Sequence, residues 1–250
     1  MPRYFLRLSF KGTAYHGWQA QPNATTVQQT VESALQILTG ESTATTGAGR
    51  TDTGVHARYF MLHTDSDHPF YGDRQTLLYK LNSLLPEDIA VHEVYAVKPE
   101  VHARFSALSR TYEYRISRVK DPFDTDFAWY FGRPLDTGAM NLAASVLLHH
   151  NDFTSFSKLH SDTGTKLCRV NQAAWSEEGD KLIFRICADR FLRNMVRALV
   201  GTLIDVGLGR TSQDGFLRVI EGRDRGLAGF SVPAKGLVLT DIAYPEEISL

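Results

Sequence analysis

Arg3-Tyr4-Phe5-Leu6-Arg7-Leu8-Ser9-Phe10-Lys11 places Tyr4, Leu6, Leu8 and Phe10 at every second position, the spacing of a strand with one buried face. Working outward, a long loop follows. Thr25-Thr26-Val27-Gln28 then reads as a capping box, and Val27, Val31, Ala34, Leu35 and Leu38 recur at helical spacing until Gly40 ends the helix. Short strands are expected at 43–46 and 58–65, a helix over 73–85 stopped by Pro86, and a strand over 89–97. The second half repeats this order. Strands are expected at 111–117, 166–176, 180–188 and 238–243, helices at 136–150 and 191–206, and an added short helix at 213–221. Two β-α-β-β-α-β units imply an α+β architecture of two ferredoxin-like halves with mostly antiparallel pairing, in one continuous sheet or in two. The expected division is 1–104 and 105–250.

Composition narrows the class. The 250 residues are 43% apolar and contain no run of about 20 apolar residues, the length of a membrane span. The first residues alternate and lack the apolar segment of a signal peptide, so a cytoplasmic protein without membrane attachment is expected. Cys168 and Cys187 read as free thiols. His149 and His150 point to different sides of a helix, and the nine histidines show no ligand spacing with cysteines, so no metal site is expected.

The net charge is -1, which argues against a generally basic binder of nucleic acid, yet the charge is uneven. Arg104, Arg110, Arg115, Arg118 and Lys120 share one stretch with a single acid, Glu113, and alternate with Phe105, Tyr112 and Tyr114. That mixture suits a polynucleotide or a solvated strand face.

The densest chemical signal is Gly47-Ala48-Gly49-Arg50-Thr51-Asp52-Thr53-Gly54-Val55-His56-Ala57. Glycines at 47, 49 and 54 permit positive φ and close approach of a ligand, and Arg50 brings positive charge near the Asp52 carboxylate. Asp52 is then a positioned nucleophile or base, or else a turn residue that caps backbone amides. Arg190, Arg193 and Arg197 are spaced to share one face of a helix whose buried stripe is Phe191, Met195, Leu199 and Leu203. Cations in a first helical turn oppose the macrodipole, so an anion is their natural complement: Asp52 or an RNA phosphate. Tyr112 and Tyr114 share one side of a strand and are either base-stacking groups or core aromatics.

Gly49 to Ala57, His102-Ala103-Arg104-Phe105-Ser106-Ala107, Arg110-Thr111-Tyr112-Glu113-Tyr114, Phe191 to Arg197 and Gly236-Leu237-Val238-Leu239 occur in the order seen in TruA-type tRNA pseudouridine synthases, which the chain resembles over nearly its whole length. The resemblance implies that Asp52 is the catalytic nucleophile, Tyr112 stacks on the target uracil and moves a proton, and Arg197 pairs with Asp52. It also implies substrate contacts at Arg50, His56, Arg58, Arg104, Arg110 and Arg193, with Leu237 and Leu239 lining the pocket. Thr53 stands where alanine is more usual, and Arg193 where the family varies. A homodimer acting without cofactor or metal on uridines 38, 39 and 40 of tRNA is implied. Three other readings fit the residues less well. An RNA-binding module would need the aromatic-rich Lys/Arg-Gly-Phe signature, a phosphate-cradling NTPase would need Gly-Lys-Ser/Thr, and a glycosidase would need a second carboxylate.

Overall fold

The computed structural model describes residues 1–158 and 165–248. It forms two compact units, Met1–Leu108 with the chain from Leu239 onward, and Ser109–Val238. The expected division assigns everything after residue 104 to the second half. The closing strand instead belongs mostly with the first unit, where it hydrogen-bonds to a strand some 180 residues earlier.

The first unit runs β1 (Arg3–Phe10), α1 (Val27–Thr39), β2 (Thr46–Gly47), β3 (His56–Asp65), α2 (Arg74–Leu84) and β4 (Ile89–Val97). The second unit runs β5 (Ser109–Ser117), β6 (Trp129–Tyr130), α3 (Thr137–Val146), β7 (Val170–Glu178), β8 (Lys181–Ala188), α4 (Met195–Gly207) and α5 (Gln213–Gly222), and the last strand is β9 (Leu237–Ala243). In the first unit the strands lie in the order β4-β1-β3-β9, with β2 also on β3, and β1 is antiparallel to both neighbours. The second unit orders β5-β8-β7 antiparallel and adds β6 parallel to β5.

Local chemistry accounts for the element ends. The capping box closes one residue later than expected: Thr26 Oγ1 accepts from the Gln29 amide and donates to Gln29 Oε1 at 2.8 Å. Gln28 is thereby released inward, where its amide donates to the Thr45 carbonyl at 2.9 Å, while Glu32 Oε1 accepts from the Thr45 N–H at 2.9 Å. Side chains of α1 thus satisfy the backbone of Thr45, and the strand expected over 43–46 shrinks to Thr46–Gly47. Asp73, Asp136 and Ser212 cap α2, α3 and α5.

Burial on β1 exceeds the one-sided expectation. Leu6 and Leu8 are fully buried, and so is Phe5 on the opposite face, against His63, Tyr95 and Tyr244. Covering that second face with Phe5 is worth about 1.5–3 kcal/mol. In the second unit α4 is buried almost all round, as a core helix must be when nearly all its residues are apolar, with Arg197 and Asp205 left partly exposed. Cys168 and Cys187 are both free.

Candidate active site

The loop around Asp52 is immobilised from below by residues 12–18, a segment that reads in the sequence only as a long loop. Thr51 is buried, and its Oγ1 accepts the Trp18 N–H at 3.1 Å. The Gly54 N–H donates to the Tyr15 carbonyl at 3.3 Å, the Val55 N–H to the Asp52 carbonyl at 3.1 Å, and the Gly12 N–H to His56 Nδ1 at 3.0 Å. Trp18 itself is sealed between Phe10 and Phe60. Asp52 therefore sits partly exposed on a loop whose flanks, Thr51 and Val55, are both buried.

The three glycines of this loop differ in purpose. Gly54 alone takes a positive φ, 78°. Gly47 serves the close approach of Trp18, and Gly49 faces open space without a positive φ. Arg50 and Arg58 are exposed. His56 is only 2% exposed and holds Gly12, so its geometry is that of a residue that shapes the loop from inside.

A second element of the first unit presents Arg104. His63 Nδ1 accepts the Ala103 N–H at 3.1 Å, and His102 Nδ1 accepts the N–H groups of Arg104 and Phe105 at 3.0 and 3.3 Å. Burial, with the Arg3 guanidinium and His102, pushes the His63 imidazole down to about 4. Arg104 and Phe105 point outward from this turn.

In the second unit the two tyrosines of β5 separate in role. Tyr114 is fully buried, and its hydroxyl donates to the Pro233 carbonyl at 2.9 Å. Tyr112 remains partly exposed with its ring edge-on to Phe191 at 5.2 Å. Arg197 Nε donates at 2.7 Å to the carbonyl of Val232, the residue beside Pro233, so Tyr114 and Arg197 hold the same segment. Burial drives the Tyr114 phenol far above its ordinary range, which keeps it neutral.

Two expectations are corrected here. Helix α4 starts at Met195, four residues later than expected, because Asn194 adopts a left-handed conformation at φ 66° and donates to Ser231 Oγ at 2.7 Å. Arg190, Phe191 and Arg193 precede the helix, so only Arg197 of the three arginines lies on it. The stretch from 104 to 120 is also less free a basic surface than its count suggests. Arg115 and the more distant Arg185 close on the buried Glu113 at 2.7 and 2.6 Å, Arg118 pairs with Glu177 at 3.1 Å, and Arg110 Nη1 donates to the Asp189 carbonyl at 2.8 Å. Arg185, Glu177 and Asp189 lie some 60 to 80 residues from the residues they engage, outside any local window.

Leu237 and Leu239 are buried at the start of β9. The segment leading to it was missed in the sequence. Arg225 donates to the carbonyls of Ala228 and Gly229 and to Ser231 Oγ, the Gly229 N–H donates to Thr202 Oγ1, and the Val232 N–H donates to the Arg197 carbonyl. Gly201, whose helix position would accept no β-carbon beside the Phe230 carbonyl, was its available signal. Among the described residues no group of His, Cys, Asp and Glu is arranged to hold a metal, and no helix is long and apolar enough to cross a membrane.

Comparison with known proteins gives the family of the chain as a whole. The sequence profile of a family described as tRNA pseudouridine synthase matches residues 143–245. Similarity to individual members extends further: tRNA pseudouridine synthase A of Parabacteroides distasonis is 52% identical over 248 residues, covering 99% of this chain and 98% of that protein. The corresponding protein of Bacteroides fragilis is 48% identical, covering 98% of both, and that of Halalkalibacterium halodurans is 41% identical, covering 95% of this chain and 91% of the other. The chain belongs to the tRNA pseudouridine synthase A family.

Proposed function

We propose that this protein isomerises uridine to pseudouridine in tRNA, at positions 38, 39 and 40 of the anticodon stem-loop, as a cytoplasmic homodimer without cofactor. The observation that carries the reading is the full-length similarity to synthases of this name, 52% in one case, together with Asp52 standing partly exposed on a braced loop. The reaction breaks the bond between N1 and C1′, turns the uracil while it is held and joins C5 to C1′, and C5 loses its proton while N1 gains one, so that the product is an isomer of the substrate. Asp52 performs the chemistry by attack on C1′, addition to C6 or removal of the C2′ proton. A base inside a helix is unreachable, so the nucleotide is flipped out at a cost of a few kcal/mol. Tyr112, partly exposed on β5, stacks on the flipped uracil and moves a proton.

Arg197 pairs with Asp52 in this reading. A cation on a largely buried helix calls for an anion, and the Val232 carbonyl fixes the position of Arg197 through its Nε. Arg50, Arg58, Arg104, Arg110 and Arg193 contact RNA, Leu237 and Leu239 line the pocket, and His56 acts by holding the loop. The ferredoxin-like character of the halves is part of the proposal, supported in the first unit by the order β4-β1-β3 with β2 on β3. The test is to incubate purified protein with unmodified tRNA, adding neither metal nor cofactor, and to map pseudouridine by position. Pseudouridine at 38–40 is the expected result, and its absence from tRNA would overturn the assignment.

A further inference from the structure

The turn 102–106 carries more order than a surface turn needs. Every backbone N–H in it has a partner: His102 donates to Ser106 Oγ at 2.9 Å, Ala103 to His63 Nδ1, Arg104 and Phe105 to His102 Nδ1, and Ser106 to the His102 carbonyl at 2.9 Å. The Ala103 carbonyl accepts the Tyr244 hydroxyl at 2.5 Å, and Arg3 holds the Val101 carbonyl at 3.0 Å. What this framework presents is a phenylalanine. Phe105 is 75% exposed, backed by the His102 ring at 4.4 Å and attended by the Arg104 guanidinium at 5.4 Å from its centroid. A rigid, solvent-facing aromatic ring beside an exposed cation is the combination that binds an unpaired nucleobase and its phosphate.

We propose that Phe105 is a second stacking platform for tRNA, separate from Tyr112, with Arg104 on an adjoining phosphate and His102 as the positioning residue that holds both. This rests on the proposal that tRNA is the substrate. Stacking of one base on an aromatic side chain contributes an affinity factor of about 5 to 100. His102 acts through its Nδ1 lone pair, which aims the Arg104 and Phe105 amides, and through the ring beneath Phe105.

The test is equilibrium binding of an unmodified tRNA transcript to the full-length protein and its variants, with thermal melting of each. Phe105→Ala is expected to weaken binding by about 5- to 100-fold with its melting temperature unchanged. Phe105→Tyr and Phe105→Trp are expected to bind as the unaltered chain does, and Phe105→Leu as weakly as Phe105→Ala. Arg104→Ala should reduce the slope of affinity against salt by about one phosphate contact, whereas Phe105→Ala leaves that slope alone. His102→Ala should weaken binding but add little to Phe105→Ala in the double variant. Unchanged affinity of Phe105→Ala, or full affinity of Phe105→Leu, would overturn the platform. Unchanged tRNA affinity with lost self-association on gel filtration would also overturn it and assign the ring to a protein contact. Pseudouridine formation by the unaltered protein, scored separately, judges the activity independently of this series.

Discussion

The indole of Trp18 occupies the space in which a side chain at residue 47 would begin: a β-carbon on Gly47 would stand 2.3 Å from Trp18 Nε1. Gly47→Ala must therefore displace a ring packed between Phe10 and Phe60. Overpacking of this kind costs about 1–3 kcal/mol. The same displacement moves the Trp18 N–H that holds Thr51, so both the melting temperature and the rate of pseudouridine formation should fall, while Gly49→Ala leaves stability within about 0.5 kcal/mol.

Asp52→Ala is expected to abolish pseudouridine formation while tRNA is still bound, because the proposed function assigns the chemistry to one carboxylate and the binding to several arginines. Product mapping and filter binding on the same preparation check this. Measurable turnover by the variant would remove Asp52 from the mechanism.

Arg197→Ala should lose at least about 100-fold in rate, and Arg193→Ala only a few-fold. Arg197 is held on α4 by the Val232 carbonyl, whereas Arg193 lies exposed before the helix begins. Single-turnover kinetics separate them, and equal losses would mean that Arg197 has no privileged relation to the carboxylate.

The two tyrosines of β5 should fail in opposite ways. Tyr114→Phe leaves the Pro233 carbonyl without its donor, a loss of about 1–3 kcal/mol seen as a lowered melting temperature. Tyr112→Ala, partly exposed, should change the melting temperature less and the catalytic rate far more. Melting and kinetics on both variants decide the matter.

Acid should weaken the first unit through His63. Its imidazole titrates near 4 in the folded chain, pushed down first by burial, then by Arg3 and His102, against about 6.5 when unfolded. The unfolded chain thus binds a proton that the folded chain refuses, and stability present above pH 6.5 is lost as the pH falls toward 4. Thermal melts across that window should decline, with a shallower decline in His63→Gln.

Strands and helices long enough to show a period were legible from the residues: β4 starts and ends where expected, and the residues of α1 and α5 were found to within a position or two. What was not legible depended on side chains reaching across the chain. Gln28 and Glu32 shortened β2, Asn194 delayed α4, and Glu177 and Arg185 redistributed charge that a local count had left free. Asp52 could be singled out because its motif is compact. Its supports at Tyr15 and Trp18 could not be, since nothing in a loop's composition says which of its amides another loop will receive.

The return of β9 to β3 has a consequence for how the molecule is made. Residues 1–108 leave the ribosome with one flank of β3 still lacking its final partner, and that partner is synthesised only after the whole second unit. An unfilled strand flank invites pairing with other chains. The nascent first unit is therefore most vulnerable to aggregation during the translation of some 130 intervening residues, and a stop codon before residue 239 would leave it permanently incomplete.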